Sequence, residues 1–351
     1  MKIACDGFGH FYNQPVRKIR LENDHGMSVE ILELGGIITS LLVPDNKGDI
    51  ADIVLGFDDL PSYVRDRHYF GALIGRVANR VEGAQFRLNG ETVRVDANAH
   101  EARHCVHGGR FGYHRRVWRL LSSQEMADSV AITLGLLDGD GEEGFPHSVD
   151  VTARYHLDND NCLSLTFEAA ADGLTPINLT AHSYFNLLGH DTGSIADHRL
   201  DIFADHGLEQ GADRVPTGRL LPLSDMGLAL DGRYSLREMV DQGLAFNHSY
   251  IPDRSLTSQP IATRRMARLE AGGRALEIWS NELTLHFYNG HNLDGVRGKD
   301  GAIYPPFSGL CLEPKGYVNA INQPAFPARL IDQNTRYQHR IEYQFSPGNR
   351  A

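Results

Sequence analysis

Four segments of the sequence combine strong hydrogen-bonding side chains with flanks that are apolar enough to be buried. They are residues 75–80, 106–109, 178–187 and 311–314. Each segment contributes strong donors or acceptors, and two of them carry full charges, among them Arg80 and Glu313. Because a buried charge is costly without a partner, both groups are expected to find partners within the fold.

Two interpretations of these segments remain open from the residues alone. The first is a structural ion pair or hydrogen-bonded network. The second is a pocket that holds one carboxylate base and one histidine acid, surrounded by Arg, His and Asn side chains. Such a pocket suits proton transfer on a sugar, because a sugar presents many hydroxyl groups and few charges.

Other site chemistries are disfavoured by the spacing of their characteristic residues. There are 17 histidines, but no HExxH motif and no carboxylate cluster at metal-ligand spacing accompanies the pairs His104/His107 and His182/His190. No P-loop and no GxGxxG motif is present. Glu143 occupies the position where a calcium loop starting at Asp138 needs a glycine. The sequence therefore predicts no metal and no organic cofactor.

Composition narrows the possible partners. The chain has 351 residues, a formal net charge of −11 and a hydrophobic fraction of 41%. Such an acidic chain is repelled by phosphate backbones and anionic lipids, so neither a nucleic acid nor a membrane is expected as a partner. The cysteines are far apart and no secretory signal opens the sequence, which favours a cytoplasmic protein with reduced thiols. We expect a monomer or a homodimer.

Apolar residues recur with period 2 through much of the chain. Residues 149–157 and 163–167 alternate on either side of a polar turn, and residues 86–88 and 93–95 flank Asn89-Gly90, a strong hairpin signal. Similar alternation covers residues 276–287 and 337–345, whereas only 59–66 and 235–242 suit short helices. The pattern predicts an all-β fold, an antiparallel sandwich or barrel with few short helices, in one domain over 1–351.

Along nearly its whole length the chain resembles the aldose 1-epimerases, or galactose mutarotases. Each matching segment is weak alone, but they follow the family's order. They are residues 35–41, 43–45, 54–57, 75–80, 107–109, 143–146, 178–187, 293–295, 311–313 and 322–327. The resemblance implies a β-supersandwich of the galactose mutarotase-like type, which agrees with the period-2 pattern.

The resemblance also implies roles for five residues. Glu313 would take the proton from the anomeric hydroxyl of a free hexose or related sugar, and His182 would give a proton to the ring oxygen. Asn79, Arg80 and His107 match the positions that hold sugar hydroxyls. Ring opening, rotation and reclosure would then interconvert the α and β anomers without a metal or cofactor.

Three substrate-binding positions depart from the family's usual residues. Asn247 replaces an aspartate, His286 replaces a glutamine, and Lys315 stands two residues after the base. If Lys315 points inward, the pocket is more positive than is usual, and the substrate would carry a uronate, sulfonate or phosphate group. In the alternative, Lys315 faces solvent or only neutralises Glu313.

Two other classes of function fit these residues less well than an isomerase does. A non-catalytic sugar-binding or regulatory protein would not need both His182 and Glu313. A glycoside hydrolase would need two carboxylates flanking the scissile bond, and only Glu313 has a persuasive setting.

Overall fold

The computed structural model describes residues 1–211, 213–227, 230–252 and 262–348. It is built almost entirely of strands. The first half of the chain forms β1 (Lys2–Phe11), β2 (Gln14–Glu22), β3 (Ser28–Leu32), β4 (Ile38–Pro44), β5 (Ile50–Asp52), β6 (Leu73–Ile74), β7 (Arg80–Val81), β8 (Gln85–Leu88), β9 (Glu91–Arg94), β10 (Cys105–Val106), β11 (Arg119–Glu125), β12 (Ser129–Asp138), β13 (Val149–Asp158) and β14 (Cys162–Ala171).

The second half continues with shorter strands, several of them only two residues long. They are β15 (Thr175–Pro176), β16 (Thr180–Ala181), β17 (Arg199–Ile202), β18 (His206–Gln210), β19 (Pro216–Pro222), β20 (Asp231–Ser235), β21 (Asn247–Ile251), β22 (Arg264–Ala271), β23 (Arg274–Ser280), β24 (Thr284–Tyr288), β25 (Val296–Arg297), β26 (Ile303–Tyr304), β27 (Cys311–Lys315), β28 (Leu330–Ile331) and β29 (Tyr337–Pro347).

Three larger sheets carry most of these strands. One has the order β1-β2-β3-β4-β5, and a nine-stranded sheet has the order β11-β12-β13-β14-β29-β23-β22-β17-β20. The third, which we call the site sheet, has the order β19-β18-β21-β24-β27. Every pairing between these strands is antiparallel, which confirms the predicted all-β class.

Local patterning located the hairpins correctly. β13 and β14 pair in register with Leu157 opposite Leu163, and the odd residues of β13 are buried as the alternation predicts. β8 and β9 are joined by Asn89 and Gly90, both with positive φ, as a tight hairpin turn requires. β23 and β24 are consecutive but belong to different sheets, because β23 pairs with β29 and β24 pairs with β27.

Three short helices are present among the described residues. α1 (Leu60–Arg65) lies where the sequence predicts it, with the Asp59 side chain accepting from the Ser62 N–H at its first turn. α3 (Arg237–Asp241) is shorter than the predicted segment, and α2 (Leu223–Met226) was not predicted. None of the three approaches the length of a bilayer-spanning helix.

A buried arginine fixes the segment that leads into β7. Arg76 Nε donates to Asp138 Oδ2 at 2.8 Å, and its Nη1 donates to the Pro146 and His147 carbonyls at 2.8 and 2.9 Å and to Thr175 Oγ1 at 3.1 Å. Arg76 is 1% exposed. Since Asn79 and Arg80 follow within four residues, these contacts set the position of two predicted binding residues.

We expect Asp138→Asn to destabilise the fold by about 3–5 kcal/mol, because it removes the carboxylate from a buried ion pair and leaves Arg76 uncompensated. Urea denaturation measures the change. The matched control is Asp197→Asn, which breaks the exposed pair with Arg237 and should leave the urea midpoint nearly unchanged. Equal losses in the two variants would contradict the structural role given to Arg76.

Candidate active site

Beside the site sheet lies a cavity of about 280 Å³ with a markedly polar lining. Seven of the eight predicted site residues line it. The lining residues are Arg67, His68, Tyr69, Asn79, Arg80, Val106, His107, His182, Tyr184, Asn247, His286, Tyr288, Asn292 and Glu313. Lys315 is not among them.

The site sheet places several of these side chains on one face through simple strand alternation. On β27, Glu313 and Lys315 are two residues apart and point the same way. His286 on β24 lies directly opposite Glu313, and Ser249 on β21 lies opposite His286. Antiparallel partners share a face, so this row of polar groups points to one side of the sheet.

Glu313 is held by Lys315 through one of its two carboxylate oxygens. Lys315 Nζ donates to Oε2 at 3.0 Å, and both side chains are almost fully buried. Burial lowers the pKa of Lys315, and the carboxylate of Glu313 opposes that shift. Oε1 is left for the cavity. The structure therefore places Lys315 against the carboxylate, as in the alternative in which it neutralises Glu313.

His182 faces the free oxygen of Glu313. Its Nε2 lies 3.7 Å from Oε1. It follows β16, and its backbone is fixed on both sides, since its N–H donates to the Ala72 carbonyl at 2.9 Å and its carbonyl accepts from the Gly71 N–H at 3.1 Å. Burial lowers the pKa of His182, and the charge of Glu313 raises it. An imidazole and a carboxylate thus meet across one end of the cavity.

Another wall comes from the short strands β7 and β10, where the His107 ring lies 5.3 Å from that of His182. Val106 pairs with Arg80, which brings His107 beside Asn79. The Asn79 N–H donates to His107 Nδ1 at 3.3 Å. Burial holds the pKa of His107 well below its usual range, so the ring is neutral and Nδ1 is an acceptor. Its hydrogen is therefore on Nε2, which can donate to a hydroxyl group.

Asn247 and His286 also form a fixed pair. The His286 Nε2 lies 2.9 Å from Asn247 Oδ1, and its Nδ1 lies 2.9 Å from Ser249 Oγ. Burial keeps the pKa of His286 well below its usual range. The neutral ring therefore donates through Nε2 and accepts from the Ser249 hydroxyl. With its oxygen engaged, Asn247 is left with its NH₂ group as a donor.

Sequence reasoning missed one wall of the cavity. Arg67, His68 and Tyr69 line it directly after α1, and the Tyr69 ring lies 4.7 Å from that of His107 and 5.8 Å from that of His182. Tyr69 has φ of +61°, which is rare for a residue with a side chain. No motif marks this turn. Tyr184, by contrast, lies within the predicted segment 178–187.

His182, Cys311 and Glu313 could together hold a metal ion. Each offers one ligand atom, and these atoms lie within 4.8 Å of one another. Cys311 Sγ is 3.5 Å from His182 Nδ1, and burial raises the pKa of this thiol well above its usual value. The thiol is thus protonated unless a metal displaces its hydrogen. Metal-independent chemistry remains a prediction.

Comparison with known proteins shows the family. The family model described as Aldose 1-epimerase matches residues 17–344. The chain belongs to the aldose 1-epimerase family. It is 37% identical over 342 residues to the galactose mutarotase of Sus scrofa, covering 94% of each chain. It is 27% identical over 369 residues to the aldose 1-epimerase of Escherichia coli, covering 98% of this chain and 97% of that one.

A solved structure gives the same result for the fold. The GalM/aldose epimerase homologue from C. elegans superposes with a TM-score of 0.85 at 26% identity, covering 95% of this chain and 99% of that chain. The predicted galactose mutarotase-like fold is therefore confirmed. As an aldose 1-epimerase, the protein is an isomerase that acts on carbohydrates and interconverts the α and β anomers of a sugar.

Several histidines are buried in the neutral form, and this predicts the pH dependence of stability. Burial lowers the pKa of His114 and of His339 to about 3 and that of His198 to about 4. In the unfolded chain these rings titrate near 6.5, so below that pH the unfolded state binds more protons. Stability is therefore complete above about pH 6.5 and falls as the pH drops toward 4.

We expect the urea midpoint to be level from pH 8 to 7 and to fall from pH 6.5 to 4.5. Each buried histidine contributes at most about 1.4 kcal/mol per pH unit. His339→Gln should make the decline shallower, whereas His10→Gln, at an exposed residue, should not. A midpoint that stays level between pH 7 and 5 would show that these rings are not neutral in the fold.

Proposed function

We propose that Glu313 and His182 are the base and the acid of the anomer interconversion. The observation that carries this proposal is the 3.7 Å approach of His182 Nε2 to Glu313 Oε1 at the cavity wall, with Oε2 occupied by Lys315. A hemiacetal bound there places its anomeric hydroxyl and its ring oxygen between one acceptor and one donor. The substrate is a free aldose, because the chemistry needs an unsubstituted anomeric hydroxyl.

The proton transfers follow from these positions. Glu313 Oε1 removes the proton of the anomeric hydroxyl, the C1–O1 bond becomes a carbonyl, the C1–O5 bond breaks, and O5 takes a proton from His182. The open-chain aldehyde rotates about C1–C2 and recloses with the roles reversed, which restores both side chains. Burial keeps the imidazolium of His182 a minority form at neutral pH, and the charge of Glu313 increases its fraction.

Sugar hydroxyls would be held mainly by neutral donors. His107 offers Nε2–H and Asn247 offers its NH₂ group, as their hydrogen-bond partners require. Arg80 adds a guanidinium group, and its Nη1 is anchored by Asn79 Oδ1 at 3.1 Å. These donors can orient the ring without competing with Glu313 for the transferred proton.

The other classes of function find less support in the cavity. Among the described residues that line it, Glu313 is the single carboxylate, whereas hydrolysis of a glycosidic bond uses two. A binding protein would have no use for the paired acid and base. We propose that the enzyme is a monomer or a homodimer in the cytoplasm.

Substituting either reacting group should reduce turnover strongly. We expect Glu313→Gln and His182→Asn each to lower kcat by about 10² to 10⁴-fold, since each removes one proton transfer. Polarimetry on freshly dissolved α-galactose and α-glucose measures the rate. Glu238→Gln makes the same chemical change on an exposed helix and should leave the rate unaltered. If both cavity variants kept full activity, the assignment of roles would be wrong.

Removing metal ions should not affect turnover. Because both proton transfers use protein side chains, we expect enzyme dialysed against EDTA to keep its kcat, and the purified protein to contain well under one equivalent of zinc. Metal analysis and polarimetry on the same sample test this. Activity that is lost on dialysis and restored by zinc would instead assign His182, Cys311 and Glu313 to a metal.

A further inference from the structure

The cavity is lined by two arginines whose positive charges are not needed to bind the hydroxyl groups of a neutral sugar. Arg67 and Arg80 both line it, and neither forms an ion pair within the described part of the chain. The one lining carboxylate, Glu313, is already paired with Lys315. Arg80 is partly buried, and its Nε is a buried donor without a hydrogen-bond partner. A guanidinium group without an ion-pair partner and with a free N–H donor can bind an anion through charged hydrogen bonds.

A third arginine, Arg214, lies beside the mouth of this cavity without lining it, and it and Asp213 contact residues next to two of the cavity walls. Asp213 forms an ion pair with Arg103 at 3.0 Å and lies 3.3 Å from His104 Nε2, which ties Asp213 to the loop before β10. The next residue, Arg214, reaches across to the other wall and places Nη2 3.3 Å from His291 Nε2. Asp213 and Arg214 thus connect the segment before β10 to the segment that follows β24.

The contact with His291 orients Arg214 without neutralising it. His291 Nδ1 lies 2.8 Å from Asn289 Oδ1, so Nδ1 carries the hydrogen and Nε2 accepts from the guanidinium. Burial, followed by the charge of Arg214, lowers the pKa of His291 to about 4. The His291 ring packs 5.0 Å from Tyr288, which lines the cavity. The carboxylate nearest in sequence, Asp213, is already engaged by Arg103.

Arg214 and Arg80 lie close enough to influence each other. Burial lowers the pKa of Arg80 to about 10, and the charge of Arg214 is the next largest cause. Two like charges brought together in a partly buried mouth repel each other, and a bound anion would relieve this repulsion. Among described residues, Arg214 has no acidic partner within ion-pair distance.

We propose that Arg214, with Arg80 and Arg67, forms a subsite for an anionic group carried by the sugar away from its anomeric carbon. The substrate would be an aldose bearing a carboxylate, phosphate or sulfonate. This inference rests on the proposed function of Glu313 and His182. The sequence analysis considered Lys315 as the group that would bind such an anion. Because Lys315 is paired with Glu313, we assign this role to Arg214 instead.

The test compares matched sugars that differ in one charged group. Galacturonate is set against galactose, and glucose 6-phosphate against glucose, with anomer exchange followed by NMR. We expect kcat/KM to be higher for the anionic sugar than for the neutral sugar in at least one pair. Which pair shows this preference tells whether the subsite binds a carboxylate or a phosphate. Arg214→Met should lower the anionic-to-neutral ratio by about 10- to 100-fold, the value of one charged hydrogen bond.

Two further variants separate recognition from structure. Arg214→Lys should keep part of the preference, because it retains the charge. Arg219→Met removes one positive charge from an exposed pair with Glu209 on β19, away from Arg214 and His291, and should change the ratio by less than about 2-fold. Preference of the wild-type enzyme for both neutral sugars would overturn the subsite, and so would an Arg214→Met loss that is equal for charged and neutral sugars.

Failure of the proposed function would be recognised separately. If the wild-type protein does not increase the rate of anomer exchange of any of these sugars, the catalytic roles assigned to Glu313 and His182 are wrong. The subsite is then tested by binding alone. In NMR titrations, galacturonate or glucose 6-phosphate should bind more tightly than its neutral partner, and Arg214→Met should abolish the difference. Equal binding of charged and neutral sugars would overturn the subsite even then.

Discussion

The buried contact between Lys315 and Glu313 is the interaction on which the site depends. An unpaired carboxylate at this depth would cost several kcal/mol, and the ammonium group at 3.0 Å offsets that cost. Strand alternation places the two residues on the same face, and Thr284 Oγ1 donates to the Lys315 carbonyl at 2.9 Å, which fixes the strand at that point. One carboxylate oxygen of Glu313 is therefore bonded to Lys315, and the other faces His182 and the cavity.

A second constraint is the neutrality of the surrounding imidazoles. His107 and His286 are buried deeply enough to remain uncharged; His107 has one ring nitrogen committed to a fixed partner, and His286 has both. The remaining N–H group of His107 and the NH₂ group of Asn247, whose oxygen His286 engages, are therefore directional neutral donors. They are separate from the charged groups Glu313 and His182 to which the proton transfers are assigned in our proposal.

Features of the fold and the site could be predicted from the sequence where they are determined by residues close together in the chain. Period-2 alternation located the hairpin of β13 and β14, and the short motifs around Glu313 and His182 identified residues that do meet. The order of the nine-stranded sheet is set by pairings such as β14 with β29, which no local pattern encodes.

The less predictable parts of the site depend on backbone turns and on contacts between distant segments. Tyr69 is brought to the cavity by a left-handed backbone conformation at a turn without a recognisable motif. The position of Arg214 depends on its contact with His291 and on the contacts of the neighbouring Asp213 with Arg103 and His104. The sequence left open whether Lys315 points into the pocket or only neutralises Glu313, and its Nζ lies 3.0 Å from Glu313 Oε2.

The acid and the base are supplied by residues 131 positions apart, His182 and Glu313, and they meet only after β16, β24 and β27 have all docked. Contacts of such long sequence separation require large loops to close and form slowly compared with neighbouring hairpins. During refolding, far-ultraviolet circular dichroism should therefore recover before enzymatic activity does. A nascent chain still lacking its last forty residues would possess β-structure but no working centre.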